Sequence, residues 1–142
     1  MTEFRTTADA SNIYFLIRMS DIEATATSGD GAPQIQIAID LDHDEVAVSG
    51  RTDFVNSAFT STADAAAWEY LVVTRFGSSS ATQLLDTTGA DRNTGSVVTA
   101  ISDTNDVIEI SIPWFMLGGP PGAPLTFTVI SLRANGSDGA WW

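Results

Sequence analysis

Apolar residues recur at every second position in several short segments, which Gly, Asp, Asn, Ser and Thr separate from one another. A period of two places the apolar side chains of an extended strand on one face. The pattern therefore predicts an all-β chain folded as an antiparallel β-sandwich, jelly-roll or immunoglobulin-like, with about eight strands. We expect the isoleucines of 35–39 and 108–112 to share one core. The alternating segments are 13–19, 34–41, 68–75, 97–101, 108–112 and 125–133, with a further candidate strand at 3–7.

Two segments favour short helical turns instead of strands. Residues 62–67 suit one turn, with Ser61 or Thr62 as its N-cap. The second begins at Pro113, a residue favoured at the first helical position, and the pair Gly118-Gly119 ends it. We expect one or two such turns in an otherwise β fold.

Length and composition indicate one globular domain covering residues 1–142. Hydrophobic residues make up 44% of the chain and charged residues 17%, which is typical of a packed protein. Membrane insertion is not expected, because no apolar run approaches the roughly 18–20 residues that span a bilayer. The sequence does not open on a leader, so we expect a secreted form to have lost its signal already.

The chain is strongly acidic and has no cysteine. Its 18 acidic residues face only six basic ones, all arginine, giving a net charge of −12. Phosphate contacts require clustered cations, so this balance argues against nucleic acids and anionic membrane surfaces as partners. The charge suits divalent cations. The absence of cysteine excludes disulfides and thiolate-bound metals.

Asp40, Asp42 and Asp44 alternate in the densest acidic segment of the chain. Calcium takes six to eight hard oxygen ligands, and alternating carboxylates can supply several of them. In an extended strand Asp40 and Asp44 would lie too far apart for one ion, so the site needs a turn after Leu41. We expect a Ca²⁺ site here. The alternative is a solvated strand end with turn-forming aspartates.

Four tryptophans are candidates for stacking against the apolar faces of sugar rings. Trp68 begins a strand, and the adjacent pair Trp141 and Trp142 stands at the end of the sequence. We expect these three to contact a ligand. Trp114 follows Pro113 directly after a predicted buried strand, which favours a place in the core.

Polar side chains in the middle of strands are the second set of candidate ligand contacts. Gln36 and Arg133 are expected to bind sugar hydroxyls or carboxylates. The alternative is that Arg18 or Arg133 forms an ion pair with Glu109 across the sheet.

Catalysis is not expected. His43 is the single histidine and lies inside the acidic segment, and no nucleophile-elbow motif accompanies it. Haem ligation would require axial ligands, and neither Met19 nor His43 is placed to serve as one.

Several motifs together resemble the family 9 carbohydrate-binding modules and the wider DOMON-like sandwich superfamily. The resemblance implies an extracellular or cell-surface module that binds polysaccharide, often with structural calcium. The family's opening strand, with its Asp-Gly pair and tryptophan, has no counterpart before Phe4. The motifs are Glu109–Trp114, Leu117-Gly118 and Pro121-Gly122, preceded by Asn12–Arg18 with Asp21, Gln36–Asp42, and Trp68–Tyr70 leading into Phe76-Gly77.

Two functional hypotheses follow. The first is a secreted, non-catalytic carbohydrate-binding module for a polysaccharide or oligosaccharide. The second is a structural cell-surface or filament subunit of the same fold. It would assemble with itself or a neighbouring chain by strand addition, because a missing opening strand leaves a bare sheet edge. The alternative to that bare edge is that Glu3–Thr7 closes it locally.

Overall fold

A computed structural model describes residues 1–20, 22, 34–42, 50–55, 60–75, 82–122 and 124–132. Within these residues eight strands form two four-stranded antiparallel sheets, which confirms the predicted β-sandwich. The strands are β1 (Glu3–Ala8), β2 (Asn12–Arg18), β3 (Gln34–Asp40), β4 (Tyr70–Arg75), β5 (Thr82–Asp86), β6 (Val98–Ser102), β7 (Val107–Pro113) and β8 (Thr126–Leu132).

The first sheet has the strand order β1-β2-β7-β6, and the second has the order β5-β4-β3-β8. In the first sheet Phe15 lies opposite Ile110, and Ile17 lies opposite Ile108. In the second, Ile37 of β3 lies opposite Val72 of β4. These side chains all point between the sheets, where they form the main core.

The main core contains both predicted isoleucine sets. Residues 35, 37 and 39 of β3 and residues 108, 110 and 112 of β7 are each at most 1% exposed and belong to one cluster. Three aromatic rings close one part of this core, with Phe15 5.9 Å from Phe4 and 5.3 Å from Phe127 between ring centroids. The prediction of a shared isoleucine core is confirmed.

The second sheet is buried on both faces, which the alternating pattern does not predict. All seven residues of β3 are buried, including the polar residues Gln34, Gln36 and Asp40. The outer face carries a second apolar cluster, called here the outer cluster. It consists of Ala38, Phe54, Trp68, Leu71, Val73 and Leu85.

Residues 50–55 and 60–69 supply part of this outer cluster. Arg51 and Trp68 pair through their backbones, with N–H donors 2.9 and 2.7 Å from the opposite carbonyl oxygens. Gly50 permits this close approach: its φ is 109°, and a Cβ there would lie 2.6 Å from the carbonyl oxygen of Trp68. The alternation also shifts here, so that Trp68 lies with Leu71 and Val73 and not with Tyr70 and Val72 as the pattern suggests.

Strand β5 is absent from the predicted strands. Its neighbouring residues Leu84 and Leu85 are both buried, because Leu84 faces the main core and Leu85 the outer cluster. A strand buried on both faces shows no alternation of apolar and polar residues, so the period of two is lost.

Both predicted turns are present as 3₁₀ helices, at Asp64–Ala66 and Trp114–Leu117. Gly118 ends the second in the left-handed region, with φ at 86°, as expected. The predicted cap of the first turn is wrong: Ala63 precedes it, and no side chain caps it. No helix in the described ranges is both long enough and apolar enough to cross a bilayer.

Strand β1 covers the edge of β2 that a missing opening strand would leave bare. The two strands pair from Glu3 opposite Arg18 to Ala8 opposite Ile13. The side chain of Asp9 holds the turn between them, accepting the N–H groups of Ser11 and Asn12 at 2.7 and 2.8 Å. Local closure of this edge, the alternative stated above, is therefore correct.

The outer cluster generates a stability prediction. Trp68→Ala should lower the free energy of unfolding by about 3–5 kcal/mol, because it removes a fully buried ring and leaves a cavity. Urea unfolding followed by circular dichroism measures this change. The control is Phe115→Ala, which truncates a ring that is 69% exposed and should change stability by less than about 0.5 kcal/mol. Equal stability of the Trp68 variant and wild type would contradict the burial.

Candidate functional site

Three carboxylates converge where β3 ends and β4 begins. Asp40 is the last residue of β3, the chain bends at Leu41 and Asp42, and Glu69 directly precedes β4. One carboxylate oxygen from each of Asp40, Asp42 and Glu69 lies within 4.8 Å of the other two. This group, called here the carboxylate cluster, contains two of the three predicted calcium ligands. The third, Asp44, lies outside the described residues, as does His43.

Backbone N–H groups hold the carboxylate cluster in place. The N–H of Leu41 donates to Glu69 Oε2 at 2.8 Å, and that of Asp42 donates to Asp40 Oδ1 at 3.3 Å. The N–H of Glu69 donates to the carbonyl oxygen of Ile39 at 3.1 Å. These bonds tie the end of β3 to the residue before β4, and two of them hold the carboxylates of Asp40 and Glu69.

Within the carboxylate cluster, Glu69 is the residue whose pKa is shifted. Burial raises the pKa of its carboxyl above the ordinary value of 4.5, and the negative charges of Asp42 and Asp40 raise that pKa further. The hydrogen bond from Leu41 acts in the opposite direction. A cation bound between these oxygens would favour the charged form, so the cluster is suited to a hard metal ion such as Ca²⁺.

Sequence reasoning did not assign Glu69 to the metal site. Glu69 lies 27 positions beyond Asp42 in the printed sequence, and the alternating pattern shows it only as a polar strand residue. The pairing of Arg51 with Trp68 fixes the approach of the chain to β4 and thereby the position of Glu69. That contact is non-local, and no short motif signals it.

Trp68 is a core residue, and its prediction as a stacking platform is wrong. The ring is 0% exposed and belongs to the outer cluster. Its Nε1 donates to the carbonyl oxygen of Asp53 at 3.1 Å, and the Arg51 guanidinium lies 5.4 Å from the ring centroid. A ring enclosed in this way has no free face for a sugar.

Gln36 is also enclosed, which corrects its prediction as a ligand contact. The residue is 0% exposed. Its Nε2 donates to the carbonyl oxygen of Val55 at 2.5 Å, and its Oε1 accepts the Val55 N–H at 3.1 Å. The amide thus binds the backbone of Val55, in the segment 50–55 that packs on the outer cluster, and has a structural role.

The remaining predicted ligand contacts, Arg133, Trp141 and Trp142, lie outside the described residues. Trp114 has the predicted core position: it is 7% exposed, and its Nε1 donates to the carbonyl oxygen of Asp9 at 2.9 Å. The ring therefore anchors the turn between β1 and β2.

A trough of about 480 Å³ lies on the outer face of the first sheet. Its floor consists of outward-facing residues of four strands, and the inward-facing neighbours in β2 and β7 belong to the main core. One row across these strands consists of Thr7, Tyr14, Ser111 and Val98, and the next row of Arg5, Leu16, Glu109 and Ala100.

Tyr14 is held in one position within the trough. Its hydroxyl donates to Asp9 Oδ2 at 2.8 Å and accepts from Asn12 Nδ2 at 3.2 Å. The bond to the Asp9 carboxylate raises the pKa of Tyr14. The phenol therefore stays neutral, and its half-buried ring is oriented before any ligand arrives.

Glu109 is an exposed carboxylate in the middle of the trough. Among the described residues it has no ion-pair or hydrogen-bond partner. Arg18 is a diagonal neighbour of Glu109 across β2 and β7, but the alternative ion pair between them is not formed. Arg18 instead lies beside Glu3, with Nε 3.5 Å from Oε2. The trough thus combines an open acceptor with the apolar surface of Tyr14 and Leu16.

Comparison of the chain with known protein families, with curated proteins and with solved structures found no match. The resemblance to family 9 carbohydrate-binding modules therefore stays a prediction from the residues quoted above. The geometry of the carboxylate cluster and of the trough carries the functional argument.

The carboxylate cluster generates a prediction about pH. The folded state holds a proton at Glu69 more tightly than the unfolded chain, so the contribution of this group to stability falls as pH rises through its raised pKa. Glu69→Gln removes that fall. In metal-free buffer the variant should gain stability relative to wild type as pH rises above the ordinary glutamate pKa of 4.5, as measured by urea unfolding at each pH.

Asp103→Asn is the matched control, because it removes one negative charge from the exposed turn between β6 and β7. The two variants therefore share the change in net charge and differ in their place in the fold. A stability difference between Glu69→Gln and wild type that did not change with pH, or changed no more than that of the control, would refute the raised pKa.

Proposed function

We propose that this chain is a non-catalytic, extracellular carbohydrate-binding module whose ligand lies in the trough of the first sheet. The observation that carries the proposal is the combination of apolar and polar groups along this open face. A pyranose ring presents one or two apolar C–H faces and a rim of hydroxyls, and it therefore needs both kinds of surface.

The trough offers complementary groups for each part of such a ligand. The ring of Tyr14 and the side chains of Leu16 and Val98 provide apolar surface against which a sugar face packs. Glu109 and Ser111 provide acceptor and donor groups for the hydroxyls. The trough runs across four strands, so it can accommodate several consecutive units of a chain.

The trough is also rigid, which favours binding of a flexible ligand. Its two central strands, β2 and β7, have their opposite face in the main core, and Tyr14 is fixed by Asp9 and Asn12. Side chains that are already ordered lose little conformational entropy when a ligand binds. An oligosaccharide loses much of its own conformational entropy on binding. A preorganised protein surface keeps the total entropy loss smaller.

The proposal includes a structural Ca²⁺ at the carboxylate cluster. Asp40, Asp42 and Glu69 would supply three of the six to eight oxygens that calcium takes. Support comes from their mutual distances and from the raised pKa of Glu69, which reflects burial and the repulsion of neighbouring carboxylates. The ion would join the end of β3 to the start of β4.

A structural subunit that assembles by strand addition is the second candidate function. The observation that favours it is the edge position of β1, which is exposed from Arg5 to Ala8 and pairs, within the described ranges, with β2 alone. An edge strand without lysine is open to a strand from another chain. Ordered self-assembly without sugar binding would support this candidate over the first.

The trough generates a binding prediction. After a glycan array has identified a bound polysaccharide, Tyr14→Ala should weaken binding of its oligosaccharide by at least about fivefold, because aromatic anchors commonly contribute over 1 kcal/mol. Tyr14→Phe keeps the ring and loses only the hydroxyl bonds, so it should keep most of the affinity. Isothermal titration calorimetry measures both.

Phe115→Ala is the matched control, since it removes an exposed aromatic ring outside the trough. It should bind as wild type does. The proposal fails if no glycan binds the wild-type chain, or if Tyr14→Ala binds the positive oligosaccharide as tightly as Phe115→Ala does.

The carboxylate cluster generates a separate prediction about calcium. Added Ca²⁺ should raise the melting temperature of the metal-free protein, by an amount equivalent to about 2.7 kcal/mol at a hundredfold excess over Kd. Asp42→Asn should abolish this rise, whereas Asp103→Asn in the exposed turn should keep it. Differential scanning calorimetry measures the shift. A metal-free wild-type chain whose melting curve ignores excess Ca²⁺ would exclude the site.

A further inference from the structure

Strand β6 forms one edge of the first sheet, and it exposes apolar side chains on both faces of that sheet. Four large apolar side chains are exposed in the described part of the chain, and two of them lie on this short strand. Val98 is 61% exposed and faces outward into the trough, whereas Ile101 is 37% exposed and faces the second sheet. Exposed apolar surface of this kind commonly marks a contact with a partner.

The direction of the backbone groups in β6 follows from the bonds of its neighbours. In an antiparallel sheet the N–H and C=O of successive residues point alternately to the two sides of the strand. The N–H of Trp114 donates to the carbonyl oxygen of Ser11, so even-numbered residues of β7 face β2 and odd-numbered residues face β6. Glu109 lies opposite Ala100, so Ala100 and the other even-numbered residues of β6 face β7.

The N–H and C=O groups of Thr99 and Ile101 therefore point to the open side of β6. Within the described ranges, no hydrogen bond is made to these backbone groups. The N–H of Val97 points the same way and donates to Asn93 Oδ1 at 3.1 Å, so the open part of the edge begins after Val97. An edge with free main-chain groups can bind a further strand.

Strand β5, an edge of the second sheet, is closed by the chain that follows it. The N–H of Arg92 donates to the carbonyl oxygen of Leu84 at 2.7 Å, and the N–H of Leu84 donates to Asp91 Oδ1 at 3.1 Å. The N–H of Asp86 donates to the carbonyl oxygen of Ala90 at 3.0 Å. Strand β1, at the far edge of the first sheet, carries one acidic and one basic residue, whereas β6 carries no charge. Strand β6 therefore combines an open main-chain edge with an uncharged, apolar surface.

We propose that β6 pairs antiparallel with β6 of a second copy of this chain, about a twofold axis at Ala100. In this register Thr99 of each copy lies opposite Ile101 of the other, and each such pair exchanges both of its N–H···O bonds. Val98 lies opposite Ser102 of the second copy, and the two small Ala100 side chains meet at the axis. All the free main-chain groups of the open edge are thereby paired.

Neighbouring registers use this edge less completely. Shifting the second copy by two residues in one direction places Ile101 opposite Val97, whose N–H is already bound by Asn93. Shifting it in the other direction places Thr99 opposite Asp103, which lies in the turn that follows β6. The symmetric register is therefore the one that the strand favours.

The charge of the chain favours β6 of a second copy as the occupant of this edge. Two chains of net charge −12 repel each other, so they associate best where the facing surfaces carry no charge. Strand β6 meets that requirement on both sides of the contact, since all of its residues are uncharged. An extended segment rich in acidic residues would be repelled from the same edge.

The pairing also brings two troughs together. Val98 and Ala100 line the trough, and opposite residues of paired strands project from the same face of a sheet. The two troughs therefore meet at the axis, on one face of a continuous sheet, where a long polysaccharide reaches both. This consequence rests on the proposed sugar-binding function, whereas the pairing itself does not. Association measured without sugar thus tests the pairing alone.

Analytical ultracentrifugation of the wild-type chain is the direct test. The protein should change from monomer to dimer between about 1 μM and about 1 mM, as expected of a small interface. It should form no larger species, because an isologous contact closes at two copies. Association should strengthen from about 0.01 M to about 0.15 M salt, because screening weakens the repulsion between the chains. A wild-type chain that stays monomeric at every concentration and salt overturns the proposal.

Charge variants at the axis test the register. Ala100 is exposed, so Ala100→Lys and Ala100→Glu should fold, which circular dichroism checks. Each variant alone should lose the dimer, because two like charges would lie directly opposite each other. An equimolar mixture of the two should associate severalfold more tightly than either variant alone, since unlike charges then face each other.

Thr7→Lys is the matched control, because it adds the same charge to an exposed position of β1 on the same face of the sheet. It should dimerise as wild type does. A dimer that Ala100→Lys leaves intact, or a mixture that stays as dissociated as its components, overturns the proposal. Species larger than a dimer that persist in Ala100→Lys assign assembly to another edge and overturn it as well.

Discussion

The burial of the second sheet on both faces is the constraint on which the rest of this structure depends. Strand β3 is buried at all seven positions, so its outer face needs a cover of apolar residues and its polar residues need partners there. Residues 50–55 and 60–69, called here the cover, supply both the apolar residues and the polar partners. Phe54 and Trp68 pack on the sheet, and the backbone of Val55 satisfies the amide of Gln36. The pairing of Arg51 with Trp68, which Gly50 permits, fixes the position of the cover relative to the sheet.

The positions of the candidate sites follow from this asymmetry between the sheets. The covering chain returns to the sheet at Trp68, and the next residue, Glu69, is thereby placed against Asp40 and Asp42. The carboxylate cluster is a consequence of how the cover ends. The first sheet is built differently: its strands alternate, and its outward residues form the open trough. One sheet therefore supplies the buried polar chemistry of the molecule, and the other supplies a surface.

The sequence predicts this fold well where each strand has one buried face and poorly where it has two. Ile108, Ile110 and Ile112 alternate with polar residues, so their strand and its core face are readable directly. Strand β5 and the burial of Trp68 were missed because both depend on the outer cluster, whose members are far apart in sequence. The metal prediction found Asp40 and Asp42, which are local, and missed Glu69, which arrives by a non-local contact. Gln36 was judged a surface residue for the same reason.

Several acidic residues in the described part of the chain hold turns, which explains why composition alone cannot locate a metal site. Asp9 accepts the N–H groups of the β1–β2 turn. Asp86 accepts those of Thr88 and Ala90, and its bonds, first of all that from the Thr88 hydroxyl, hold the pKa of this carboxyl well below its usual range. Such carboxylates are already stabilised by N–H or O–H donors, so they gain little from a cation. Glu69 has the opposite shift, because burial and its acidic neighbours disfavour its charge. A cation would relieve that penalty. Among the described residues, it is therefore the direction of this shift, more than the number of carboxylates, that distinguishes a site suited to metal from a turn.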